Sequence, residues 1–200
     1  MDLSYVIVLA LFIQVKPANI AVPECGKIPD LRLGFARSAM KAVVNPYARI
    51  LDCRAAEFLG KPAPEIRLKG KNKEMLLSSF RGKPVFIQYW STSCARCVQH
   101  LPELKKLYAE TAGKGLVWIS IDSDEDPGAS ARFVKEEQIP WPNYHDGDGT
   151  LGQAFARQAI PLGILIDPEG KVVFYSVGYD VWELREAIVQ LGPEFRSVWR

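Results

Sequence analysis

Histidine is scarce in this chain: His100 and His145 are the only two among 200 residues, beside four cysteines. A closed zinc site takes four Cys or His ligands, commonly from two close pairs, and here only Cys94 and Cys97 are closely spaced. Charge of one sign is lacking too. The formal net charge is +2, and the densest basic stretch, Lys69 to Lys73 (KGKNK), is broken by Gly70 and Asn72 and reads as a solvated turn. A general nucleic-acid or polyanion binder is therefore excluded. Internal repeats and low-complexity tracts are absent. What remains is an ordinary globular composition, 48% hydrophobic and 24% charged, on a chain long enough for one sizeable core and short for two.

The N-terminus departs from this average. Tyr5 to Ile13 (YVIVLALFI) is continuously apolar and is ended by Gln14, Lys16 and Pro17. It falls short of the roughly 20 apolar residues of a spanning helix and fits the core of a secretory signal peptide. Asp2 stands where a basic residue is usual, and Ala18 to Ala21 (ANIA) is only loosely a small-residue cleavage region. Residues 1–22 are thus read as a signal peptide or an N-terminal anchor, with a buried strand as the plain alternative. An even number of cysteines after such a segment is compatible with an oxidising compartment, so a secreted or periplasmic location is expected. Proximity makes Cys94–Cys97 one pair and leaves Cys25–Cys53 as a structural disulfide or as two independent thiols.

The rest of the chain falls into three stretches. Residues 25–59 read as a helical extension: Asn45-Pro46 opens a helix, Tyr47, Ile50, Leu51 and Phe58 recur at helical spacing, and Gly60 stops it. Residues 60–192 alternate short β-branched and aromatic runs with amphipathic segments, and residues 193–200 are a tail. Val85 to Trp90 (VFIQYW) and Leu116 to Ile121 (LVWISI) are predicted buried strands. Ala95 to Thr111 is a predicted helix, stopped by Gly113, and Asp126-Pro127 opens another. Thr150 and Gln153 suggest a capping box for a short helix to about Arg157. Leu162 to Ile166 and Lys171 to Val177, joined by Asp167 to Gly170 (DPEG), predict an antiparallel hairpin. Asp180 and Glu183 cap a final helix. The order implies an α/β fold: a central mixed sheet, its first two long strands parallel, with helices on both faces.

Cys94 therefore stands where a strand gives way to a helix N-terminus. Unpaired backbone N–H groups and the helix dipole favour an anion there. A thiol that ordinarily ionises near ~8.5 falls well below that value in such a position, and the Arg96 cation acts in the same direction. Cys97 lies one turn inside the helix, shielded, and placed to attack a mixed disulfide formed at Cys94. The reading is a redox pair: Cys94 attacks and Cys97 resolves. A metal site lacks a second ligand pair, and a purely structural disulfide is the remaining alternative. No cofactor is required. His100 lies one further turn on, on the same face as Cys97. It is either the group that handles the proton of Cys97 or a half-buried histidine without a chemical part. His145, in the polar stretch NYHDGDG, reads as a surface residue.

With these segments in order, residues 60–192 resemble the thioredoxin-like superfamily, in its extracytoplasmic TlpA/ResA branch of thiol–disulfide oxidoreductases. The likeness rests on GKPAPEI at Gly60, RGKPVFIQYW leading into CARC, LPEL with Pro102 inside the helix, WISID, FVKEEQIPWP, DGDGTLGQAF and IPLGILIDPEGKVVF. The resemblance implies protein thiols or disulfides as substrates, a membrane electron donor as partner and a place in cytochrome c maturation; a monomer is expected. It also implies that Ile160-Pro161 carries a cis bond, faces the disulfide and offers its backbone edge to an extended substrate segment. The chain departs from the family at Ser93, where an aromatic is common, at Gln88, which replaces a buried carboxylate or Asn, and at His100, which replaces a Glu. Leu162-Gly163 stands for Thr-Thr, and Ala95-Arg96 lacks the usual proline. Two other functions compete. A peroxiredoxin-like peroxidase would accept Ser91 but wants a proline at Ile87. A non-enzymatic copper-handling module would space its cysteines one residue wider.

Overall fold

The structure is a computed structural model that describes residues 55–70 and 74–199. The proposed signal segment, most of the helical extension and both Cys25 and Cys53 lie outside the described residues. The extension's last turn, residues 55–58, is helical, and Gly60 leaves it with a left-handed φ of 76°. Phe58 stacks on Tyr175 at a centroid distance of 5.1 Å, which fastens this turn to the domain.

Five strands make the main sheet. They are β3 (Val85–Trp90), β4 (Val117–Asp122), β5 (Asn143–His145), β6 (Leu162–Ile166) and β7 (Val172–Val177), in the order β5-β4-β3-β6-β7. A separate hairpin, β1 (Arg67–Lys69) with β2 (Glu74–Leu76), precedes them. β3 pairs in parallel with β4, and β4 with β5. β6 pairs antiparallel with both β3 and β7, so the predicted hairpin continues the sheet from its centre outward. All six residues of β3 are buried, as expected of a central strand covered on both faces.

The two faces carry separate cores. α1 (Ala95–Thr111), α2 (Pro127–Glu136) and α4 (Val181–Val189) meet one face, where Phe86, Leu104, Trp118, Leu165, Tyr179 and Leu184 are buried together. On the other face lie α3 (Thr150–Ala154), a 3-10 turn at Leu77–Phe80 and the turn at residues 55–58, over Ile87, Tyr89, Ile119, Ile164 and Phe155. α1 runs to Thr111 as read from the sequence, but its left-handed terminator is Gly115 (φ 90°), after a 3-10 turn at Ala112–Lys114. The capping box at Thr150 does not form. Thr150 gives its hydroxyl to Asp148, and the buried carboxylate of Asp146 takes the N–H groups of Leu151 and Gly152, both at 2.8 Å. α3 ends at Ala154 rather than Arg157, and Ala156 just beyond it takes a left-handed φ of 48°.

Candidate active site

The parallel strands β3 and β4 end at one edge of the sheet, and everything chemical gathers there. β3 delivers Trp90 and a short turn; α1 starts at Ala95 with Cys94 as its N-cap. The Cys94 sulfur accepts the backbone N–H of Cys97 at 3.2 Å. The two cysteines are joined in a disulfide with their Cα atoms 5.2 Å apart. Cys97 is 2% exposed, whereas Cys94 is half-buried and the more accessible of the two sulfur-bearing residues. Arg96 is exposed beside them. Beneath Cys97 a small hollow is lined by Gln88, Trp90, Ser120, Phe133 and Trp141, none of which is a group that titrates near neutral pH.

The turn ahead of Cys94 is tied to the neighbouring strand's exit. The carboxylate of Asp124 accepts both the backbone N–H of Thr92 (3.0 Å) and its hydroxyl (2.8 Å). A second set of bonds runs deeper. Asp122, the last residue of β4, is fully buried; it accepts from Asn143 Nδ2 at 2.8 Å and meets His145 Nδ1 at 2.7 Å. Asn143 Oδ1 accepts the indole N–H of Trp90 at 2.9 Å. His145, read from the sequence as a surface residue, is exposed, yet its ring lies against this buried carboxylate, with 29% of the side chain accessible. Trp90, Asp122 and His145 stand side by side in the strand register, a relation invisible until the strands are paired.

On the opposite flank, the Ile160–Pro161 bond is cis, and Leu162 pairs with Tyr89, which sets Pro161 at the same sheet edge as the cysteines. The Pro161 carbonyl accepts the N–H of Gly178 at 2.7 Å, joining this loop to the entry of α4. His100 is half-buried between the two helices. Its Nδ1 is buried without a hydrogen-bond partner, and its ring lies 5.8 Å from that of Tyr179. Burial, and secondly the Arg96 cation, hold its pKa below the ordinary imidazole value; Glu103 and Asp180 oppose this. Burial and Arg96 both favour the neutral imidazole. Tyr179, wholly buried and missed at the sequence level, has a hydroxyl that is likewise unpartnered. Among the described residues no cluster of three His, Cys, Asp or Glu side chains could hold a metal ion.

Comparison with known proteins agrees with this geometry. The model of the Redoxin family matches residues 58–190. The thiol-disulfide oxidoreductase ResA of Bacillus thuringiensis subsp. konkukian is 35% identical over 139 residues, covering 68% of this chain and 79% of that protein. ResA of Bacillus subtilis (strain 168) is 31% identical over 120 residues, covering 60% and 67%. Among solved structures, a Chlorobium tepidum protein assigned as the thiol:disulfide interchange protein DsbE superposes with a TM-score of 0.62 at 26% identity, covering 67% of this chain and 98% of that one. A Neisseria meningitidis protein assigned as a thioredoxin gives a TM-score of 0.60 at 27% identity, covering 64% and 88%. The sheet and its helices are thus a thioredoxin-like fold, and a strand-to-helix junction carrying a bonded Cys-X-X-Cys pair is what thiol–disulfide exchange needs. The chain belongs to the redoxin family, as a thiol–disulfide oxidoreductase of the ResA and DsbE type with Cys94 and Cys97 as its cysteine pair.

Proposed function

We propose that the chain works outside the cytoplasm on protein thiols and disulfides, with Cys94 as attacking and Cys97 as resolving sulfur. The observation that carries this is the position of Cys94 as N-cap of α1, its sulfur accepting the N–H of Cys97. That bond and the helix dipole favour the thiolate. In the reducing direction, the Cys94 thiolate attacks a substrate disulfide, forms a mixed disulfide and expels one substrate thiolate, which takes a proton from water. Cys97 then loses its proton and attacks Cys94 Sγ. The second substrate thiolate leaves, and the Cys94–Cys97 disulfide remains. The hollow under Cys97 is lined by no other side chain that titrates near neutral pH, so we assign its proton to His100, one helical turn away, where burial favours the neutral imidazole. Arg96 supports the thiolate electrostatically, and Ile160 and Pro161 offer the backbone edge against which an extended substrate segment lies.

Regeneration by a membrane electron donor, a role in cytochrome c maturation, and a signal peptide or anchor at residues 1–22 complete the reading by analogy with the family. Trapping tests the division of labour. Cys97→Ser mixed with oxidised insulin should accumulate a covalent adduct at Cys94, seen by mass spectrometry, and Cys94→Ser should form none. An adduct at residue 97 in the Cys94→Ser protein would reverse the roles. Equilibration of the pair with glutathione sets the direction: a potential near about −270 mV marks a reductant and one near about −120 mV an oxidant.

A further inference from the structure

Two neighbouring rings each carry a buried polar atom without a partner: Nδ1 of His100, on α1, and the hydroxyl of Tyr179, just ahead of α4. Native proteins leave few such atoms, and each one calls for an explanation. Two of them in one ring contact, 5.8 Å between centroids, call for a shared one.

The place of Tyr179 is prepared by its neighbours. Gly163, two residues after Pro161, comes so close that a Cβ there would lie 3.0 Å from both Cδ1 and Cε1 of the Tyr179 ring. Phe86 and Phe174 meet the same ring edge-on, at 6.1 and 6.3 Å. The phenol is therefore held on three sides. His100 is the half-buried ring of the pair, on α1. Of its two nitrogens, Nδ1 is buried and without a hydrogen-bond partner. A histidine acts as a base through one nitrogen while the hydrogen bond made by the other sets the tautomer. For Nε2 to carry the lone pair, Nδ1 must bear the proton and give it to an acceptor. The phenol oxygen can accept as well as donate.

We propose that in the reduced protein Tyr179 is a positioning residue for His100, accepting a hydrogen bond from Nδ1–H and so leaving Nε2 as the proton acceptor. This rests on the proton-acceptor role proposed above for His100. Gly163 is then part of the same device: it makes room for the ring that orients the imidazole. The bond persists when the imidazole gains its second proton and is stronger in that state, so it offsets the burial and the Arg96 cation that hold the His100 pKa down. The charged groups facing His100 are Arg96 and Glu103 on its own helix and Asp180 at the start of α4. Burial drives the Tyr179 pKa upward, so the phenol keeps its proton throughout the working range.

The test uses reduced, isotope-labelled protein. Imidazole 15N shifts read the tautomer and the titration of His100 directly. The wild type should show the Nδ1–H tautomer. Tyr179→Phe, which keeps the ring, should lose that preference, shift the His100 titration to lower pH, and slow the resolving step at neutral pH about two- to tenfold, the range expected for one hydrogen bond. Gly163→Ala, which displaces the ring and keeps the hydroxyl, should do the same. Tyr175→Phe removes a hydroxyl that donates to Phe155 O on the other face of the sheet, and should leave the His100 titration unchanged. An unaltered tautomer and titration in both Tyr179→Phe and Gly163→Ala would overturn the proposal. If His100→Ala left the pH profile of exchange unchanged, the proton-acceptor role would fall instead; the 15N shifts would still say whether the bond exists.

Discussion

Replacing Asp122 tests how the active-site edge is held. Its carboxylate is 1% accessible and receives two side-chain hydrogen bonds, from Asn143 Nδ2 at 2.8 Å and at His145 Nδ1 at 2.7 Å. Truncation to alanine leaves both partners without their acceptor and opens a void at the end of β4. Hydrogen bonds to a charged group contribute about 1.5–3 kcal/mol each, so losing the two costs about 3–6 kcal/mol. The same range, near 4 kcal/mol, is expected for Asp122→Ala. Asparagine is a different case. Its carbonyl can still accept from Asn143, and its NH2 can donate to His145 Nδ1 once the imidazole carries its proton on Nε2. Asp122→Asn should therefore cost only about 1 kcal/mol. With a urea slope of about 2 kcal/mol/M, the two midpoints should fall by about 2 M and about 0.5 M. Urea unfolding at pH 7, followed by tryptophan fluorescence, measures both. A midpoint for Asp122→Ala within about 0.3 M of wild type, or equal losses for both variants, would refute the reasoning.

Two further outcomes follow from other parts of the molecule. Gly170 has a φ of 81°, and a Cβ there would lie 1.1 Å from Nη1 of Arg81, which donates to the Glu169 carbonyl; Gly170→Ala should lower Tm by about 5 °C, and an unchanged melting curve would contradict this. The pKa of His100 is held below that of an unfolded histidine, so the stability tied to its neutral form is present above the ordinary imidazole value and is lost as pH falls toward the folded one. Urea midpoints between pH 7.5 and 5 should drop less steeply in His100→Leu than in wild type, and parallel slopes would count against the assignment.

Much of the architecture can be read from local pattern. β3 is legible because VFIQYW is β-branched and aromatic throughout, and α1 because Leu101, Leu104 and Leu107 recur on one face before a glycine-rich stop. Asp126 and Asp180 cap their helices as read, accepting from Gly128 and Glu183. The capping box at Thr150 fails for a physical reason: Asp148, two residues away, competes for the hydroxyl, and Asp146 reaches the helix from outside the four-residue pattern. β5 is three residues long, too short for a period-2 signal, so the pairing that sets His145 beside Asp122 could not be foreseen. Cys94, Cys97, Arg96 and His100 are neighbours in sequence and were found together. Tyr179 comes beside His100 through the long-range packing of its ring on Gly163, which no local pattern encodes.

The double grip of Asp124 on Thr92 has a mechanical consequence. While Cys94 is linked to a partner, the partner is a tether, and any thermal pull on it loads the turn that holds the sulfur. That turn is anchored at its amide and its hydroxyl to the exit of β4, and Trp90 just before it is anchored through Asn143 to β5. The load therefore passes sideways into three hydrogen-bonded strands instead of along the first turn of α1, where it would peel open the helix end that activates the sulfur. On the roles proposed above for Cys94 and Cys97, the covalent intermediate can be tugged without the thiolate site coming apart, and the Cys97 sulfur finds its target where it left it.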